Sequence, residues 1–290
     1  MTLAALLIQP FSEYGFMRRA LVATLAMSLG SAPMGTLLVL RRMSLVGDAM
    51  GHALLPGAAL GFLVAGFSLS AMSLGGFCAA LVVALAAGFV TRSTSQREDA
   101  SFAAFYLIAL ALGVLMVSTH GSSVDLLHLL FGTILAVDDA ALLLIASVAS
   151  VTLVVLAAIY RPLVVECLDP GFLRNVGGRG TLVHSLFLVL TVANLVAGFQ
   201  ALGTLMAVGL MMLPATAARF WAAEIWSLAL VAAVIAALSG FIGLLLSYHA
   251  QWPSGPAIVL VAGIVYLLSV VAGPRDGLLW RRRRRPHRKD

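Results

Sequence analysis

Asp48 and His52 stand four residues apart in an otherwise apolar run, Arg41-Arg42-Met43-Ser44-Leu45-Val46-Gly47-Asp48-Ala49-Met50-Gly51-His52-Ala53-Leu54-Leu55-Pro56-Gly57. A separation of four places both side chains on one helix face, about 6 Å apart along the axis. Counted from Arg42 at about 1.5 Å per residue, His52 falls roughly 15 Å into the run, near the middle of a bilayer core about 30 Å thick. An ionisable side chain at that depth costs about 2.5–3.5 kcal/mol on insertion scales, which marks the pair for function. Three chemistries fit it: a polar staple between helices, a proton relay, or a carboxylate and imidazole ligand set suited to Zn, Mn or Fe. Two ligands are too few for a closed metal site, so the metal reading needs a second copy of the same helix.

The residues around the pair bear on that choice. Gly47/Gly51 and Gly57/Gly61 have the small-xxx-small spacing that lets helix backbones approach closely. Pro56 carries no N–H, so the carbonyl of His52 loses its helical partner, and Pro214 does the same to Leu210. A thin glycine stripe and a freed carbonyl are compatible with an ion held between two copies of this helix.

The elements that must position these residues are transmembrane helices. The chain of 290 residues is 61% hydrophobic and 10% charged, with a mean hydropathy of +1.05. Soluble domains carry roughly 25% charged residues, so the composition predicts an all-α, polytopic transmembrane helical bundle forming one domain over 1–290. Residues 1–15 lack a basic leader region and contain Glu13, so no cleavable signal is expected. Apolar stretches predict spans at about 20–40, 44–66, 71–90, 101–118, 140–160, 181–198, 202–217, 225–247 and 256–273. Nine crossings are expected, or eight if a short segment does not cross. A further piece, 126–137, is too short to cross and is read as re-entrant or interfacial.

Charge placement orients the bundle. Of the 18 lysines and arginines, all except Arg18 and Arg19 fall in 41–43, 91–100, 161–180, 218–224 and the basic tail 274–290. The positive-inside rule makes those segments, and the C-terminus, cytoplasmic. The net charge of +6 sits largely in Arg281–Arg285, Arg288 and Lys289, beside a span, and is read as an anchor near anionic lipid rather than a nucleic-acid surface. Cys78 and Cys167 offer no disulfide framework.

The segment 161–180 is the other informative region. It combines Glu166, Asp169 and Arg174 with apolar Val164, Val165, Phe172 and Val176, and Pro170 is suited to begin a short helix. A docking helix for a cytoplasmic partner and an amphipathic segment at the lipid headgroups both fit. His120, Asp125, His128, Asp138 and Asp139 cluster around 119–139 and read either as a cation guide or as ordinary loop residues. His184 and His249 sit at span edges, and Met211-Met212 reads as packing before it reads as a soft-metal site. The only lysine is Lys289, so the chain holds no Gly-x-x-x-x-Gly-Lys phosphate loop; Gly-x-Ser-x-Gly, Cys-x-x-Cys and His-Glu-x-x-His are also absent. The chain is expected to be no enzyme, and any ATP hydrolysis must come from another subunit.

With these residues in view, the chain resembles the permease subunits of the bacterial zinc/manganese/iron ABC importers. The similarity is carried by Leu40 to Gly57, by Glu166-Cys167-Leu168-Asp169-Pro170-Gly171-Phe172, by Gly209-Leu210-Met211-Met212-Leu213-Pro214-Ala215-Thr216-Ala217-Ala218-Arg219 and by Pro253-Ser254-Gly255-Pro256. Cys167-Leu168 and Gly171 depart from the family's usual residues. The resemblance implies a permease in the bacterial cytoplasmic (inner) membrane that moves a divalent transition metal by alternating access, with no permanently bound cofactor. It implies Asp48 and His52 as metal-handling residues, and Glu166, Asp169 and Phe172 as the matched core of a loop coupling to the ATPase. It also implies three partners: a cytoplasmic ATP-binding cassette subunit that uses ATP, an extracytoplasmic metal-binding protein, and a second permease subunit forming a homodimer. Competing readings are an ABC permease for a metal chelate of siderophore or cobalamin type, and a proton-coupled secondary metal transporter with Asp48/His52 as its relay.

Overall fold

A computed structural model describes residues 3–43, 45–66, 68–119, 137–175 and 177–283. All regular elements among them are helices: α1 (Leu3–Glu13), α2 (Gly15–Leu40), α3 (Val46–Ala65), α4 (Leu69–Ser93), α5 (Glu98–Thr119), α6 (Asp139–Leu168), α7 (Pro170–Asn175), α8 (Gly180–Leu202), α9 (Thr204–Ala218), α10 (Ile225–Ala250), α11 (Ser254–Ala272) and α12 (Leu278–Arg283). In lipid a backbone must satisfy its own hydrogen bonds, and the long apolar runs do so as helices.

Eight of the helices are long and apolar enough to cross a membrane. Of the eight or nine crossings expected, 202–217 is the one whose helix is shorter than the rest. Gly203 adopts φ 88, which breaks the run into α8 and a 15-residue α9. At about 1.5 Å per residue α9 reaches only about 22 Å, short of a hydrocarbon core of about 30 Å. Gly203 thus turns the chain into a hairpin, and α9 runs back until Ala218 packs with Ala32, Leu228 and Leu40.

Two centrally placed helices organise the bundle. α2 and α8 are largely buried along their lengths, and a core of Met27, Met34, Leu38, Leu195, Leu202, Leu210 and Met211 surrounds them. Met211 is fully buried, in keeping with its reading as packing. Glycine sets the closest approaches. A Cβ at Gly57 would run into the carbonyl of Gly75, and one at Gly61 into that of Ala71, so α3 and α4 lie backbone to backbone.

The other stripe of α3 also has its neighbour within the chain: Gly47 faces Val208 and Met212 of α9, and Gly51 faces the Phe199 ring of α8. This corrects the expectation that Gly47 and Gly51 thin the helix for a second copy. Both prolines of interest are buried within helices; Pro56 lies against Gly113 of α5, and Pro214 lies in the core of α9.

One end of the bundle gathers the ends of α2, α4 and α6 with the starts of α5 and α8 through contacts among Arg41, Arg92, Glu98, Glu166 and His184. The backbone N–H of Arg275 donates to the Phe220 carbonyl, bringing the chain after α11 to the loop after α9. The cationic segments identified in the sequence therefore share an end, while Arg19 pairs with Asp139 at the start of α6. The segment 126–136, with His120, Asp125, His128 and the tail 284–290, lies outside the described residues. Asp138 caps α6, its Oδ1 accepting from the Ala141 N–H at 2.8 Å.

Candidate functional site

The turn that delivers Asp48 and His52 is set at the end of α2. The Met43 N–H donates to Leu38 O at 2.9 Å and the Arg42 N–H to Val39 O at 3.2 Å, while Arg42 adopts φ 59. This is a Schellman ending with Arg42 in the left-handed position usually given to glycine, sealed by fully buried Met43. The chain therefore turns at Arg41–Met43, and α3 begins at Val46. Asp48 lies in its first turn, where the positive end of the helix dipole favours a carboxylate. His52 lies one turn on, about 9 Å along a helix about 30 Å long. Along α3 the pair therefore lies in the third of the helix nearer the Arg41 end.

His52 Nε2 stands 3.8 Å from Asp48 Oδ1, with the His52 side chain 36% and the Asp48 side chain 69% exposed. The spacing of four thus brings the two groups together as the sequence implied, on the outer wall of the bundle. Tyr106 of α5 stacks on the imidazole, with ring centroids 5.7 Å apart and planes inclined by 26°. Nδ1 is buried and makes no hydrogen bond. The ring is fixed by packing, and its Nε2 edge and the carboxylate face outward together. Among the described residues no three His, Cys, Asp or Glu side chains converge on one point.

The segment after α6 differs from the expected loop. α6 continues as a helix to Leu168, past Pro162, so residues 161–168 belong to the long helix. Asp169 then ends α6 and its Oδ1 accepts the Phe172 N–H at 2.9 Å, starting α7 at Pro170. Phe172 and Leu168 project outward, 56% and 70% exposed. Glu166 does not. Its side chain is fully buried, which corrects its expected place among residues offered to a partner.

Glu166 instead belongs to a charged cluster that the sequence reading passed over. Its carboxylate pairs closely with Arg92 and stands 3.8 Å from Arg41, which in turn stands 3.7 Å from Glu98. Arg41 donates to His184 Nδ1 at 2.7 Å and lies over the Phe187 ring, 5.5 Å from its centroid. Since Arg is a donor only, the His184 ring proton belongs on Nε2. The one available signal was that Arg41, Arg92 and Glu98 each stand at the edge of a predicted span.

A family model described as the ABC 3 transport family matches residues 13–273. The chain belongs to the ABC 3 transport family. The manganese import system permease protein ScaB of Streptococcus parasanguinis is 31% identical over 270 residues, covering 93% of this chain and 95% of that protein. The probable iron transport system membrane protein of Haemophilus influenzae is 28% identical over 279 residues, 96% of this chain and 97% of that one. A solved structure of PsaBC from Streptococcus pneumoniae in complex with Fab contains a chain that superposes with a TM-score of 0.81, at 27% identity, over 97% of this chain and 100% of that chain. The resemblance carried by the motifs of residues 40–256 therefore holds. This ABC 3 chain is the multi-pass permease subunit of a metal-ion ABC importer, and neither the chelate nor the proton-coupled reading is favoured.

Proposed function

We propose that this permease carries a divalent first-row transition metal ion, with Mn2+ as its first candidate, past Asp48 and His52 in an ATP-driven cycle. The observation that supports the site is the outward-facing pair itself. An exposed carboxylate and imidazole on a transmembrane helix cannot be left against lipid, and two ligands do not complete a metal site. A second permease laid against the same wall supplies both the cover and the missing ligands, which is the argument for a homodimer. The manganese candidate comes from the relatives named as manganese import permeases, and the iron-named relative keeps Fe2+ in the set to be tested. Carboxylate oxygen and imidazole nitrogen accept either ion.

The arginine-rich end is the cytoplasmic one on the positive-inside rule. There Asp169 starts α7 and holds Phe172 outward beside Leu168, a small apolar knob suited to a groove on an ATP-binding cassette subunit. ATP-driven closure of that subunit pair moves α7 and alternates access to the metal pair. At the opposite end a metal-binding protein delivers the ion.

The decisive experiment is Mn2+ uptake in cells or proteoliposomes carrying the chain with its ATPase subunit. Asp48→Ala and His52→Ala each reduce uptake to background while the complex still copurifies. Uptake at the normal rate in both variants rejects the site. Parallel measurements with Zn2+ and Fe2+ establish the preferred ion.

A further inference from the structure

The buried charges at the Arg41 end are poor candidates for simple stabilisation. Two arginines and two carboxylates lie where apolar side chains of the same volume would hold the helices at least as well. Their positions are more informative than their energy. Glu166 occupies the last turn of α6, three residues before Asp169 and α7. Arg41 caps α2 and leads through the turn at Arg42 and Met43 towards the helix of Asp48 and His52. Arg92 closes the gap, contacting Glu166, the Gly180 carbonyl at 3.3 Å and the Thr181 hydroxyl at 3.4 Å at the start of α8.

The cluster also has unused bonding capacity. Arg92 Nε, Glu166 Oε2 and His184 Nε2 are all buried without a hydrogen-bond partner. A helix shift at this end can exchange partners within the cluster without adding any group, which is the property of an element with two arrangements. A purely apolar contact has no such alternative pairing.

We propose that Arg41, Arg92, Glu98, Glu166 and His184 form the joint through which movement of α7 reaches α3, with Arg92 and Glu166 as positioning residues for the transport cycle. This rests on the reading of the chain as an ATP-driven metal permease. The joint acts through the backbone: Glu166 moves with α7, Arg41 follows Glu166, and the Schellman turn carries that displacement into the first turn of α3.

The test uses the full permease–ATPase complex in proteoliposomes and reads Mn2+ transported per ATP hydrolysed. Two double variants neutralise the pair while leaving Arg41 balanced by Glu98: Arg92→Met/Glu166→Met, which conserves volume, and Arg92→Gln/Glu166→Gln, which conserves polarity. At least one is expected to copurify with the ATPase, keep its thermal midpoint and hydrolyse ATP, while its Mn2+-per-ATP ratio falls at least tenfold. The conservative Arg92→Lys is expected to keep most of the ratio. An assembled double variant with the normal ratio overturns the joint, and so does failure of both to assemble, which makes the cluster a structural staple. A wild-type complex that shows no ATP-dependent uptake of Mn2+, Zn2+ or Fe2+ overturns the permease reading instead, so the two failures are distinct.

Discussion

The two polar regions of this bundle are built on opposite plans. Asp48 and His52 come from consecutive turns of one helix and lie open on the outer wall, 3.8 Å apart. Arg41, Arg92, Glu98, Glu166 and His184 come from α2, α4, α5, α6 and α8, are mostly sealed and balance one another's charge. The open pair is suited to an ion that must arrive and leave. The closed cluster is suited to passing the movement of one helix end to another. Exposure separates the two: a side chain that exchanges ligand needs an accessible edge, while one that relays a displacement must be gripped by its neighbours.

The largest effect that tests this contrast comes from unbalancing the closed cluster. Glu166→Leu leaves Arg92 and Arg41 sharing Glu98 alone in a buried setting. Removing one partner of a buried pair costs about 3–5 kcal/mol, so a strong drop in thermal midpoint of the purified complex is expected. Asp48→Asn on the exposed wall shifts stability by no more than about 0.5 kcal/mol while abolishing uptake. Equal thermal midpoints for the two variants would remove the distinction between a sealed joint and an open site.

The glycine stripes of α3 sharpen the comparison at a smaller scale. Gly57 meets the Gly75 backbone, which cannot rotate away, whereas Gly51 has nothing closer than the Phe199 ring at 3.8 Å from an added Cβ. Gly57→Ala forces α3 and α4 apart and is expected to cost about 1–3 kcal/mol, as overpacking does. Gly51→Ala is expected to leave the thermal midpoint nearly unchanged. A tolerant Gly57 would mean that the α3–α4 contact is loose, and that the wall bearing Asp48 is not held rigidly.

How much of this was legible in the sequence follows from where each contact originates. Asp48 and His52 were visible because helical geometry alone converts a spacing of four into proximity. The Pro170 start of α7 was visible for the same local reason. The break between α8 and α9 was visible as the gap between the stretches 181–198 and 202–217, but its place at Gly203 was not, because a hydropathy window averages over one residue. The turn at Arg42 was missed because a left-handed arginine has no sequence signature. Glu166 was misread as a docking residue because its segment was taken for a loop. α6 in fact runs on to Leu168, and that rotation turns Glu166 inward. The five-helix cluster was beyond reach for a deeper reason: its residues are brought together by helix packing across separations as large as 143 positions, as between Arg41 and His184.

The smallest expected effect concerns how the open pair is held, and it falls on Tyr106. The Tyr106 ring stacks on His52, and such aromatic contacts contribute about 0.5–1.5 kcal/mol beyond the area they bury. Tyr106→Leu removes the platform, lets the imidazole rotate and is expected to weaken Mn2+ affinity of the complex by about two- to tenfold, a range that follows from the same energies. Tyr106→Phe keeps the ring and loses only the hydroxyl, so its affinity is expected to match the wild type. Titration of Mn2+ into the purified complex separates these outcomes. A loss in both variants would assign the effect to the hydroxyl, making Tyr106 a polar member of the ion's path. A loss in neither would mean that the partner permease, not α5, sets the angle at which His52 meets the ion.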